Sequence, residues 1–175
     1  MKPGPTPAPH GLPRRDALAL LGGVAAAAAW PGCAQAAPAE PGQRVSWPEV
    51  TLLDGSRWGA EQARDKAVIV VFWSTTCPFC LRHNAHVEKL RRAAAGRALE
   101  ILTVARERDP APVRAYLTRH GYGFPVTLDQ GPMGAALSTR RVIPLTAVVE
   151  RSGRLRQVIP GEMFEEDVME LLRLA

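Results

Sequence analysis

Thiols, unbalanced charge and long apolar runs are all scarce in this chain, and each shortage narrows what it can be. Three cysteines occur in 175 residues, and one of them, Cys33, falls in an N-terminal segment laid out like a cleaved secretory signal. That segment has Arg14-Arg15, an uncharged Ala/Leu/Gly stretch from Ala17 to Trp30, and Ala34-Gln35-Ala36 ahead of Ala37. Cleavage after Ala36 leaves Cys77 and Cys80 with no third thiol to interfere in their chemistry. The apolar stretch is too short and too weakly apolar to be a good membrane span. Of the formal charge of +5, the first 36 residues account for +2 (Lys2, Arg14 and Arg15 against Asp16), leaving +3, which is too little to argue for nucleic acid. Arg91-Arg92, Arg106 with Arg108, and Arg140-Arg141 are scattered pairs that read as solvated surface. There is no internal repeat.

At 46% hydrophobic and 22% charged residues, the remainder fits one ordinary globular domain. The expected organisation is a signal peptide over 1–36, a Pro/Ala/Gly-rich linker over 37–44 and one domain over 45–175. The expected location is the periplasm, where disulfides persist and something must set the redox state of a dithiol protein. The paired arginines leave the twin-arginine and general export routes both open. Cys33 as a lipid-attachment site is the competing interpretation, and Trp30-Pro31-Gly32 before it makes a poor lipobox.

Cys77-Pro78-Phe79-Cys80 follows the apolar run Ala67–Trp73 and sits where a helix begins. The first thiol lies among unpaired backbone N–H groups at the positive end of the helix macrodipole, which favours thiolate. The second lies one turn on, placed to resolve a mixed disulfide. This is the pattern of dithiol exchange.

The rest of the domain reads as alternating elements. Val50–Leu53 and Arg57-Trp58 flank Asp54-Gly55 as a hairpin. Residues 67 to 73, apolar throughout, make a central strand covered on both faces. A helix from Pro78 to Ala95 stops at Gly96 and buries Cys80, His83, Val87, Leu90 and Ala94 on one face. Leu99–Ala105 is a second strand, parallel to the first through a right-handed crossover. Asp109-Pro110 starts a helix that runs to His120 and ends at Gly121. Phe124–Leu128 is extended, and a short helix covers Met133–Thr139. Leu145–Glu150 and Arg154–Ile159 form a hairpin about Ser152-Gly153. Phe164–Leu174 closes the chain as an amphipathic helix with Phe164, Val168, Leu171 and Leu172 facing in. The sum is an α/β fold with a mixed central sheet, an N-terminal hairpin and a strand-helix insertion.

This order resembles a thioredoxin-like fold, and three motifs narrow the resemblance. Phe72–Cys80 is similar to the FWAxWCxxC run of exported thioredoxin-like proteins of the TlpA, ResA and CcmG type. Val104–Arg141, with Gly123-Phe124-Pro125-Val126-Thr127-Leu128-Asp129, resembles that group's central insertion. Val142-Ile143-Pro144-Leu145-Thr146 resembles its V-x-x-P-x-T loop, whose proline is cis. The resemblance implies a protein-disulfide oxidoreductase with Cys77 as nucleophile and Cys80 as resolving thiol. Ile143, Pro144, Trp73 and Thr76 would shape the substrate groove. No dissociable cofactor is implied, since the Cys77–Cys80 disulfide is itself the working group. Its partners would be client proteins with disulfides or thiols and a membrane thiol reductase as electron donor. The group leans towards reduction, in cytochrome c or copper-site maturation. Taken alone, Pro144 before a strand reads as an ordinary trans turn proline, and it is the motif order that implies cis.

Two departures from the group stand out. His83 takes the place where several relatives carry a buried glutamate, and Val71 the place of the buried aspartate of cytoplasmic thioredoxin. His83 is therefore the candidate for proton transfer at Cys80, against the alternative of a packed core histidine. Cys77, Cys80, His83 and His86 also form a metal-like spacing. Steps of three along one helix rotate successive ligands by about −60°, however, so the four cannot converge on one ion, and no metal is expected. Two other functions compete. A thiol peroxidase would show P-x-x-x-T-x-x-C, whereas the matching places here hold Val70 and Ser74. A copper chaperone would use Cys77 and Cys80 as thiolate ligands.

Overall fold

The structure, a computed structural model, describes residues 37–175; the signal-like segment with Cys33 lies outside the described residues. β3 (Ala67–Trp73) is buried at every position. It lies at the centre of a five-stranded sheet ordered β5 (Val126–Thr127), β4 (Leu99–Ala105), β3, β6 (Leu145–Val149), β7 (Leu155–Pro160), the place its unbroken apolar sequence requires. β4 (Leu99–Ala105) pairs with it in parallel, Ala67 opposite Leu99 and Trp73 opposite Ala105. The crossover between them is α2 (Pro78–Ala93). On the other side β6 (Leu145–Val149) runs antiparallel to β3, and β7 (Leu155–Pro160) antiparallel to β6. The turn between β6 and β7 needs the positive φ of +76° at Gly153.

Alternate residues of β3 enter two separate cores. Ile69, Val71 and Trp73 pack with Val87 and Leu90 of α2, Val113 and Tyr116 of α3 (Pro110–His120), and Val168 of α5 (Glu165–Glu170). Val68, Val70 and Phe72 pack with Val50 and Trp58 of the N-terminal hairpin β1 (Val50–Thr51) and β2 (Arg57–Trp58), and with Met133 and Leu137 of α4 (Gln130–Leu137). Helices therefore cover both faces of the sheet. α3 begins and ends on local signals: Asp109 accepts the Ala111 N–H at 2.9 Å, Pro110 opens the first turn, and Gly121 closes the helix in the left-handed region at φ +65°.

Several expectations are corrected. The residues assigned to a linker are bonded along the domain, with Ala39 N–H to Ala136 O (3.0 Å), Gly42 N–H to Leu155 O (2.8 Å) and Leu155 N–H to Gln43 O (2.8 Å). α2 ends at Ala93 and not Ala95. α4 starts three residues before Met133 and stops short of Thr139. The carboxylate of Asp129, in position to cap α4, instead accepts the Thr51 N–H at 2.9 Å and ties the hairpin down. Of Phe124–Leu128 only β5 (Val126–Thr127) joins the sheet, and its Val126 carbonyl accepts the Leu53 N–H of the hairpin at 2.8 Å. Phe164 was expected inside but is 77% exposed at the start of α5, and Met163 is buried in its place. The last turn, Leu171–Leu174, is a 3-10 helix with Leu172 half-buried. A four-residue helix α1 (Ala60–Ala63) has no counterpart in the sequence reading; the Gln62 side chain closes it by accepting the Gly59 N–H at 2.8 Å.

Candidate active site

Cys77 is the N-cap of α2, extended at φ −87° and ψ 115°, with Pro78 in the first helical turn. Its sulfur accepts the Cys80 N–H at 3.2 Å, the bond a serine or aspartate cap would make. Pro78 has no N–H to add. Cys77 is half-buried, and Cys80, one turn further on, is fully buried; both are free thiols. Burial, with the Cys77 sulfur second, pushes the Cys80 thiol up to about 12. Cys80 is thus held as a thiol and Cys77 is the sulfur that a partner can reach.

The cis-proline loop completes the site. The Ile143–Pro144 peptide is cis, as the resemblance implies. The Ile143 carbonyl lies 3.9 Å from the Cys77 sulfur and accepts its thiol hydrogen. Pro144 is buried and Ile143 half-buried, while Val142 is exposed, as are Thr76 and Phe79 on the opposite rim. An extended segment could lie across Ile143 with its sulfur at Cys77 and apolar side chains at Val142 and Phe79. Arg82 sits over the Phe79 ring, 5.3 Å from its centre, and is held there by two bonds to Glu162.

Two candidate roles are corrected. Trp73 is fully buried, its ring 4.8 Å from that of Tyr116 and 6.0 Å from that of Phe124. It offers no surface to a substrate and instead packs the floor beneath the site. His83 is also fully buried, and both ring nitrogens are taken. Nδ1 accepts the Met163 N–H at 3.2 Å, so the ring proton is on Nε2, which donates to Thr146 Oγ1 at 3.1 Å. Burial, then the charge of His86, lowers His83 to about 4. With no free lone pair it joins α2 to β6 and the loop before α5, and it is not placed to take a proton from Cys80. His86 donates Nδ1–H to the Met163 carbonyl at 3.3 Å, so the two histidines grip one backbone residue and do not converge with the cysteines. Among the described residues no group of three or more His, Cys, Asp or Glu side chains is arranged to hold a metal ion.

Sequence reasoning missed Glu107. One of its oxygens accepts the Thr75 N–H at 2.6 Å, the Thr75 hydroxyl at 2.8 Å and the Ser74 hydroxyl at 2.9 Å, anchoring the loop that leads into Cys77. Its other carboxylate oxygen is buried without a partner among the described residues. Asn84, one turn beyond Cys80, was also missed: it is fully buried and donates to the Tyr116 hydroxyl at 3.4 Å. Its spacing from Cys80, the same as that of any helical i, i+4 pair, was the available signal.

The comparisons with known proteins agree with this geometry. Residues 40–172 match the profile of the family described as Redoxin. The chain is 30% identical over 122 residues to the thiol-disulfide oxidoreductase ResA of Halalkalibacterium halodurans, covering 70% of this chain and 69% of that protein. It is 27% identical over 126 residues to ResA of Bacillus cereus, covering 71% and 72%. Among solved structures, a thioredoxin-family thiol:disulfide interchange protein from Chlorobium tepidum superposes with a TM-score of 0.70 at 23% identity, over 79% of this chain and 99% of that one. StoA from Bacillus subtilis does so at 0.63 and 19%, over 77% and 98%. Those two likenesses speak for the thioredoxin-like fold, and the family match and the ResA relatives for the chemistry. This chain belongs to the Redoxin family, as a ResA-like thiol-disulfide oxidoreductase.

Proposed function

We propose that the protein is a reductase of protein disulfides in the cell envelope, exported by its N-terminal signal, cleaved after Ala36 and recharged by a membrane thiol donor. The observation that carries the proposal is the placement of Cys77: a helix-capping sulfur at the rim, one turn ahead of a buried thiol and 3.9 Å from the Ile143 carbonyl. Cys77 as thiolate attacks one sulfur of a client disulfide, and the other leaves as a thiolate. Cys80 then gives up its proton and attacks the Cys77 sulfur, releasing the second client thiolate. Two electrons pass to the client and the Cys77–Cys80 disulfide forms. Thr76 and Ile143 flank the path of the client backbone, and Pro144 shapes the loop that carries it.

The direction of flow follows from what stabilises each redox state. Strong dithiol oxidants owe their potential to a stabilised reduced form. Here the Cys77 sulfur is given one backbone N–H, and Cys80 is buried with its thiol pushed up to about 12, so the reduced form gains little from this second sulfur. The expected equilibrium potential is near that of thioredoxin, about −270 mV, measured against a dithiothreitol or glutathione series. A value near −120 mV would mean an oxidant of folding proteins. In cells, Cys80→Ser is expected to trap client proteins as mixed disulfides through Cys77, and a mature chain beginning at Ala37 is expected in the same envelope fraction. Peroxide turnover or tight copper(I) binding by the purified protein, without disulfide reduction, would favour the peroxidase or the copper chaperone instead.

A further inference from the structure

Arg106 meets Arg140 and Arg141, more than thirty residues on in the chain, on the segment that leads into the cis-proline loop. A cavity of about 690 Å³ opens next to the cis-proline loop, lined among others by Phe72, Arg106, Arg140 and Arg141. Arg106 follows β4 and donates its guanidinium hydrogens to the carbonyls of Arg140, at 2.8 Å, and of Arg141. Its own N–H bonds the Trp73 carbonyl at 2.9 Å, so the loop before Val142 is pinned to the end of the strand that leads into Cys77. The opposite wall is α4, where Gly131 and Gly134 leave open space: a Cβ at either would meet nothing within 4 Å. Arg140 and Arg141 are exposed. Many surface cations here are matched by carboxylates, as Arg57 is by Glu49, Arg82 by Glu162 and Arg92 by Glu88. Among the described residues Arg106, Arg140 and Arg141 form no ion pair.

We infer that this basic cavity is a binding site for acidic side chains of the client, on the segment that flanks its reactive cysteine. The inference rests on the thiol-disulfide exchange proposed above and names its preferred substrate class. Arg141 is two residues from Ile143, so their Cα atoms are at most about 7 Å apart. An extended client rises about 3.3 Å per residue. With the client sulfur at Cys77, residues two or three places along its chain lie about 7–10 Å away, a span that reaches Arg140 and Arg141 when the client crosses Ile143 towards them. Carboxylates there meet unmatched guanidiniums and the forked donor geometry that suits them. The charge also raises the encounter rate of acidic segments, an effect that salt removes.

The test uses three disulfide-linked peptides that differ only at the second and third residues from the reactive cysteine, which are Asp, Asn or Lys. The kcat/KM of each with the purified protein is divided by its rate with dithiothreitol, which removes intrinsic differences in disulfide reactivity. The Asp peptide is expected to be reduced about tenfold faster than the Asn peptide, and the Lys peptide slower than both. The spread should collapse in 0.5 M salt, a measurement that needs no variant. Arg140→Glu with Arg141→Glu should invert the order. Equal normalised values for all three peptides would overturn the inference and leave disulfide reduction standing, and a preference unchanged by salt and by charge reversal would overturn it too. No turnover of any peptide would overturn the exchange activity on which it rests.

Discussion

Cys77 and Cys80 differ in depth, and the proposed order of events at the site follows from that difference. In the proposed exchange the half-buried sulfur meets the client first, and the buried one must lose a proton held up to about 12 before it can resolve the mixed disulfide. The thiolate fraction of such a group grows about tenfold per pH unit up to its pKa. Release of client from a preformed Cys77 mixed disulfide, followed by rapid quench, is expected to accelerate about tenfold per unit between pH 6 and 9; a flat profile would require another group to take the proton. His83 carries a different pH signature. Its native value of about 4 lies below the ordinary 6.5, so between those limits the unfolded chain binds a proton that the folded chain refuses. Its contribution is therefore complete above pH 6.5 and lost as pH falls towards 4, at up to about 1.4 kcal/mol per unit. Denaturant midpoints across that window should show the slope, and His83→Gln should flatten it. Both cysteines were legible because two thiols at a helix start have few alternatives. The fate of His83 was not, because Thr146 and Met163, which occupy its nitrogens, are 63 and 80 residues away. Glu107 escaped notice for the same reason, its partners Ser74 and Thr75 being 33 and 32 residues distant.

α2 holds the cysteine pair at its start and anchors the insertion at its last turn. Glu88 is buried on its inner side, where burial alone would raise its carboxyl. Hydrogen bonds from Arg91, the Gly123 N–H and Arg92 prevail and hold it down to about 2. The close approach depends on Gly123, since a Cβ there would sit 3.1 Å from the Arg91 guanidinium. The stability that Glu88 brings is present above its unfolded value near 4.5 and lost as pH falls towards 2. Glu88→Gln leaves Arg91 with a neutral partner and should cost on the order of 3 kcal/mol at pH 7. Wild type and variant should converge near pH 2 in chemical denaturation; a constant gap would point to packing and not charge. Elements with strong local signals, such as β3 with its unbroken apolar run and α3 between Asp109-Pro110 and Gly121, were placed correctly from the sequence. α4 lacked such a local signal: Asp129, in position to cap it, bonds the distant Thr51 instead.

At the scale of the molecule, two cores on either side of one sheet hold the helix start and the cis-proline loop together. β3 leads into Cys77 through the Ser74–Thr76 loop that Glu107 holds, and Pro144 immediately precedes its antiparallel neighbour β6, so the pairing of the two strands brings both loops to one end of the sheet. The reductase proposed above should be more stable oxidised than reduced, because its disulfide form is the favoured one. Guanidinium unfolding of the two forms is expected to differ by on the order of 2 kcal/mol in favour of the disulfide; the opposite order would accord with an oxidant. The sequence alone determined the thiol pair, the strand before it, the helix after it and the parallel crossover, because each rests on covalent spacing or on a local pattern of burial. Only the tertiary structure decided that Trp73 is floor and not rim, that His83 has no lone pair to offer, and that Arg106 meets Arg140 and Arg141 ahead of the cis-proline loop. These are matters of which side chains come together across the sheet, and periodicity along one chain carries no record of distances between its strands.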